Sequence, residues 1–172
     1  MFRHLASFAV VILLIIMVVG CGEKKTKDQL MTMAEQYEAN ENFLTAIKTY
    51  QKVLKKYPDS DEAVQAKYKI ALIYSNNLND FEKSVETHKE LIEKYPDSKY
   101  AAQSLFMIGF INANNLHDLD TAKKYYEEFL KKYPDNELAS SVKWELDNLG
   151  KDINDIDFLN QPGTTDEQNV GN

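Results

Sequence analysis

Lys56-Tyr57-Pro58-Asp59-Ser60 returns as Lys94-Tyr95-Pro96-Asp97-Ser98, and its first four residues return again as Lys132-Tyr133-Pro134-Asp135. The step is 38 residues both times. Self-similarity at a fixed period of about 20 to 50 residues marks a stacked repeat array, and it outranks any local propensity.

Aligning Asp59–Pro96 with Asp97–Pro134 gives 14 identities in 38 positions, among them Ala63/Ala101, Gln65/Gln103, Ile70/Ile108, Asn76/Asn114, Leu78/Leu116 and Asp80/Asp118. Each unit reads as two amphipathic helices. Ser60 and Ser98 are expected N-caps, and Ala63, Ala66, Ile70, Ile73 and Tyr74 follow at helical spacing. The Asn-rich stretch Asn76 to Asp80 breaks the first helix, and Asp80 caps the second. Phe81, Val85, Leu91 and Ile92 form that helix's apolar side. Pro96 stops it, because proline lacks the amide that another turn needs.

These residues resemble tetratricopeptide repeats, whose 34-residue unit sets small and aromatic residues at fixed places in two helices and ends on proline. The matching series are Ala34, Tyr37, Ala46, Tyr50, Pro58; then Ala71, Tyr74, Ser84, His88, Pro96; then Gly109, Asn112, Ala122, Tyr126, Pro134. His88 and Asn112 depart from the pattern. The longer period places three extra residues ahead of the first helix and one between the helices. The resemblance implies an all-α solenoid of three helix pairs plus a C-terminal capping helix.

With 172 residues, 44% of them hydrophobic, the chain is long enough for one domain with a real core. Its net charge of -7 and pI near 5.0 argue against a nucleic-acid partner, which needs a basic face.

Residues 1–20 read as a signal peptide. Arg3 precedes the mostly apolar run Leu5 to Val19, shorter than the roughly twenty residues that span a bilayer. The ending Val18-Val19-Gly20-Cys21 resembles a bacterial lipobox, in which the cysteine receives a diacylglycerol thioether and becomes the new N-terminus. Cys21 is the only cysteine, so an internal disulfide does not explain it. The other reading is an uncleaved signal anchor with an incidental cysteine. Residues 21–27 form a short tether that reaches at most about 20 Å. Lys24, Lys25 and Lys27 either attract anionic headgroups or simply solvate it. Gly22 stands where the enteric sorting pattern has aspartate for inner-membrane retention, so the resemblance implies the outer membrane, facing the periplasm.

The repeat domain is expected over 28–150, with units at about 27–58, 59–96 and 97–134 and a capping helix within 135–149, from about Glu137 to Leu149. The cap holds Ala139, Val142, Leu146 and Leu149 inward, covering the last apolar face of the array. In the extension 151–172, Ile153, Ile156, Phe158 and Leu159 are enough to dock against that helix. From Gln161 onward the composition reads as disordered.

The sequence shows no Gly-rich phosphate loop, nucleophile elbow, metal-spaced Cys or His pair, or His-Glu-x-x-His helix. No catalytic or metal-binding residue is assigned, and no cofactor or small-molecule substrate. His88 replaces a second-helix aromatic and reads as packing rather than ligand. His117 reads as an exposed loop side chain, and the many acids as solvated helix faces.

One column stands out. Tyr68, Phe106 and Trp144 share a repeat position, and Leu72 and Phe110 lie one turn further on. In the resembling family the first helices line a concave groove. The column would then be an apolar ladder for a partner's helix or extended peptide, with Gln65, Gln103, Asn76 and Asn114 as polar contacts. Alternatively, the longer first helix turns these aromatics onto the preceding second helix. Such grooves that clamp a carboxylate use lysine and asparagine, which Tyr68, Leu72, Phe106 and Phe110 do not match.

The resemblance therefore implies a lipid-anchored, non-catalytic docking scaffold of the bacterial envelope. Two envelope groups share its features: the repeat lipoproteins of β-barrel assembly and the Tol-Pal-associated coordinators of cell-wall synthesis. Two rival classes stay open: a structural protein that self-associates through its solenoid ends, and an enzyme, which would need a cluster of titratable residues in the groove that the aligned positions do not supply.

Overall fold

A computed structural model describes residues 25–151. The signal peptide, the lipobox at Cys21 and the extension from residue 152 lie outside the described residues. Within them, seven helices follow one another: α1 (Lys27–Ala39), α2 (Phe43–Lys56), α3 (Asp61–Asn76), α4 (Phe81–Lys94), α5 (Lys99–Asn114), α6 (Leu119–Lys132) and α7 (Ala139–Asp147). They pair as α1 with α2, α3 with α4 and α5 with α6, and α7 closes the stack against α6. The fold is an all-α, tetratricopeptide-like solenoid. Besides these pairings, α1 touches α3 and α3 touches α5, so the first helices share the tighter, inner side of the curve.

The signature residues are the seams of the hairpins. Ala34, Ala46 and Tyr50 are fully buried in the first unit, Ala71, Ser84 and His88 in the second, and Ala122 and Tyr126 in the third. A small residue on the first helix lets the second approach. At Gly109 the approach is closest, since a Cβ there would stand 2.5 Å from the Tyr126 ring. In the second unit the Ser84 hydroxyl donates to the Ala71 carbonyl at 2.8 Å, so the same close seam is closed by a hydrogen bond.

The Lys-Tyr-Pro motif joins one unit to the next. Proline ends the second helix, and the tyrosine hydroxyl reaches back one unit. Tyr95 donates to the Pro58 carbonyl at 2.7 Å and Tyr133 to that of Pro96 at 3.4 Å. Tyr57 finds no earlier motif and donates to the Lys25 carbonyl at 3.0 Å, fastening the start of the domain.

Helix starts follow capping chemistry, with two differences from the sequence reading. Thr26 and Gln29 make a reciprocal capping box on α1, Ser60 accepts from the Ala63 amide, and Asp80 and Asp118 cap α4 and α6. Ser98 occupies the cap position of α5, yet its hydroxyl is buried and makes no cap bond. The last helix begins at Ala139 rather than near Glu137 and ends at Asp147. The Asn136 side chain accepts from the Leu138 amide at 3.0 Å, a local turn that competes with helix at that point.

The turns inside the three hairpins repeat as well. Glu41, Asn79 and His117, one repeat apart, all take positive φ, at 58°, 52° and 55°. Each sits just before a second helix, reversing the chain where the Asn-rich breaks were expected.

Candidate protein-binding face

The inner face is built on α3 and α5. Both run 16 residues against 13 for α1, so the extra residues do lengthen the first helix. Ile70, Ala71 and Ile73 of α3 and Ile108, Gly109 and Ile111 of α5 point into the core. The remaining stripe carries the column.

The column is half sunk. Tyr68 is half-buried: its ring stacks on Tyr100 with centroids 4.8 Å apart and meets the His88 ring edge-on at 5.5 Å. Burial holds the Tyr68 hydroxyl pKa above its ordinary value, with Tyr100 adding to the shift. Phe106 lies 5.8 Å from Phe110 and 6.3 Å from Tyr126. These ring contacts run to each unit's own second helix and to the next first helix. Further along, Phe110 is 36% exposed and Trp144 44% exposed. Gln65, Leu72 and Gln103 are partly buried beside the rings, and Asn76 and Asn114 are exposed at the helix ends. Both asparagines have local duties: Asn76 accepts from the Ser75 hydroxyl at 2.9 Å, and Asn114 donates to the Phe110 carbonyl at 3.0 Å.

Two recesses flank the column. One, of about 350 Å³, lies between the starts of α3 and α5, where Val64, Gln65, Lys99 and Tyr100 meet Asp61, Asp97 and Ser98. Lys99 stands over the Tyr100 ring, 5.1 Å from its centroid. The other, of about 420 Å³, lies at the far end among Asn114, His117, Leu119, Trp144, Glu145 and Leu149. Of the expected site residues, Gln65 lines the first recess and Asn114 and Trp144 the second. Tyr100 and Lys99 were missed because they fall one turn before the column. The adjacent repeat position, Glu62 in α3, is spent on an ion pair with Lys27 at 2.7 Å.

His88 is fully buried, with Nδ1 3.0 Å from the Ser104 hydroxyl across the α4–α5 seam and Nε2 without a partner among the described residues. It is a packing residue. Its pKa falls to about 4 because burial disfavours the charged ring. His117 is exposed on its turn. Among the described residues no group of three or more His, Cys, Asp or Glu side chains is placed to hold a metal ion. No helix among them is long and apolar enough to cross a membrane.

Residues 23–157 match the family model YfiO, described as outer membrane lipoprotein. The chain belongs to the YfiO family of outer membrane lipoproteins. The match starts two residues after Cys21 and takes in all seven helices. It ends six residues past the last described one. No curated protein matches the chain in sequence.

Proposed function

We propose that this YfiO-family protein is a non-catalytic docking scaffold. A lipid on Cys21 holds it on the periplasmic side of the outer membrane, and its inner face binds a protein or peptide of the outer-membrane assembly apparatus. The supporting observation is the half-sunk column: Tyr68 and Phe106 are fixed by neighbouring rings, while Phe110 leaves part of its apolar surface in water beside them. Rigid aromatic anchors of this kind bury large area on binding at low conformational cost. The adjoining recess adds the Gln65 amide, suited to the backbone of an extended peptide, and sets the Lys99 ammonium beside the Asp61 and Asp97 carboxylates.

Photo-crosslinking in living cells tests this, with the probe at Gln65 and Asn76 on the inner face and at exposed Glu86 on α4 as control. Expected is one heterologous partner trapped from the inner face and not from Glu86. Equal adducts from all three positions, or adducts only with a second copy of the chain, would overturn the scaffold reading. Cys21→Ser is expected to abolish fatty-acid labelling and release the protein from the membrane fraction.

A further inference from the structure

Three of the four large apolar side chains that the described residues leave exposed gather at the C-terminal end of the solenoid. Leu119 and Trp144, 42% and 44% exposed, line the 420 Å³ recess, and Phe110 lies one turn before Asn114 on its wall. An array that uses α7 to cover its last apolar face thus still leaves apolar surface beside that helix. Solvating helices at solenoid ends normally turn such surface inward.

The last described residues, Gly150 and Lys151, lie at this recess. Gly150 adopts φ 77°, a conformation open to glycine, and runs so close to the groove wall that a Cβ would meet Leu119 at 3.0 Å. Lys151 lines the recess, and its amide donates to the Asn148 carbonyl at 3.0 Å, which holds the last described residue at the recess. Ile153 follows within about 7 Å of chain. Ile153 and Ile156 stand three apart, so both can face one way while Asp152 and Asp155 face water. The family match continues to residue 157, through both isoleucines, and stops before the Pro, Gly and Thr stretch.

We propose that the segment Asp152–Leu159 of this same chain docks into the recess between α5, α6 and α7, covering Leu119 and Trp144 with Ile153 and Ile156. It is the occupant with the shortest path to the site. The inference does not rest on the scaffold reading, but it limits it: Asn114 and Trp144 leave the partner-binding column, which ends at Phe110. The Glu145 carboxyl, whose pKa partial burial already raises, becomes further enclosed.

Trp144 is the only tryptophan, so its emission reports this recess alone. In the mature-length chain carrying Cys21→Ser, replacing Ile153 and Ile156 by Asp is expected to move Trp144 emission to longer wavelength and at least double its acrylamide quenching, with helical circular dichroism unchanged. Emission and quenching equal to the parent would overturn the proposal. The second measurement pairs Leu119→Cys with Ile156→Cys in the same background. Oxidation is expected to give a monomer with an internal disulfide. A disulfide-linked dimer would assign the recess to a second copy, and the absence of a disulfide would leave the segment outside it; either overturns the proposal. Neither variant touches Gln65 or Asn76, so the partner test fails or succeeds separately.

Discussion

The Tyr95 hydroxyl donates to the Pro58 carbonyl at 2.7 Å, joining the same motif in two successive units. Tyr133 repeats the link to Pro96 at 3.4 Å, near the limit of a hydrogen bond. Tyr95→Phe is therefore expected to cost about 1 kcal/mol in urea unfolding, and Tyr133→Phe less. Equal losses would show that the two hydroxyls contribute alike whatever their bond length, and no loss in either variant would show that the rings alone hold the units together.

Gly109→Ala is expected to destabilise the protein although alanine is the better helix former by about 1 kcal/mol. The new methyl would lie 2.5 Å from the Tyr126 ring, deep in a seam that has no slack, and overpacking of this kind costs about 2 kcal/mol or more. In a Tyr126→Leu background the same change should become neutral or favourable. A double-mutant cycle measures the difference, and a loss that is the same in both backgrounds would refute the steric account.

Burial lowers the His88 pKa from 6.5 to about 4. Between those values the unfolded chain binds a proton that the folded chain refuses, so this contribution is whole above pH 6.5 and is lost as pH falls toward 4. From pH 7 to pH 5 the loss from this residue alone is about 2 kcal/mol. His88→Phe removes the titration. Its urea midpoint is expected to fall less than the parent's over that range, and parallel losses in the two proteins would contradict the assignment.

Glu41 holds φ at 58° where the equivalent turns have Asn79 and His117. The left-handed region costs an ordinary residue about 1 kcal/mol, and asparagine tolerates it better. Glu41→Asn is expected to raise the thermal midpoint. No change would mean that the first turn relaxes in solution.

On the inner face, Phe110→Ala and Tyr68→Ala should separate binding from stability. Phe110 is 36% exposed, whereas Tyr68 stacks on Tyr100 and meets His88. Phe110→Ala is expected to weaken partner capture with little change in unfolding midpoint, and Tyr68→Ala to reduce both. If capture survives both substitutions, the column is not the contact.

The repeat period, the helix pairs and the buried positions from Ala34 to Tyr126 were legible because each is a short-range rule stated three times over. Ser84 and His88 could be placed in the core by register alone, even though both are polar. The links of Tyr57, Tyr95 and Tyr133 were not legible, since a hydroxyl bond across 32 or 37 residues depends on how units stack. Nor was the turn at Asn136, where a side-chain acceptor displaced the expected helix start, or the inward rotation of the Ser98 hydroxyl. The column was found by spacing, but spacing could not say that Tyr68 and Phe106 would lean on His88 and Tyr126 of their own units. Tyr100 and Lys99 escaped because Asp61 and Glu62 hold the corresponding places in α3, and no repeated type drew attention to them.

With the chain held by the proposed lipid on Cys21, the bond from Tyr57 to the Lys25 carbonyl would set its geometry of encounter. By sequence, Gly22 to Lys24 would then be the leash between Cys21 and the fastened Lys25, about 10 Å at full extension. A protein anchored in that way would stay at the membrane surface. It would diffuse as a low object on a two-dimensional sheet, and a partner embedded in that sheet would meet it at a much higher effective concentration than a soluble one. Lengthening the leash would dilute that advantage without altering a single contact on the inner face.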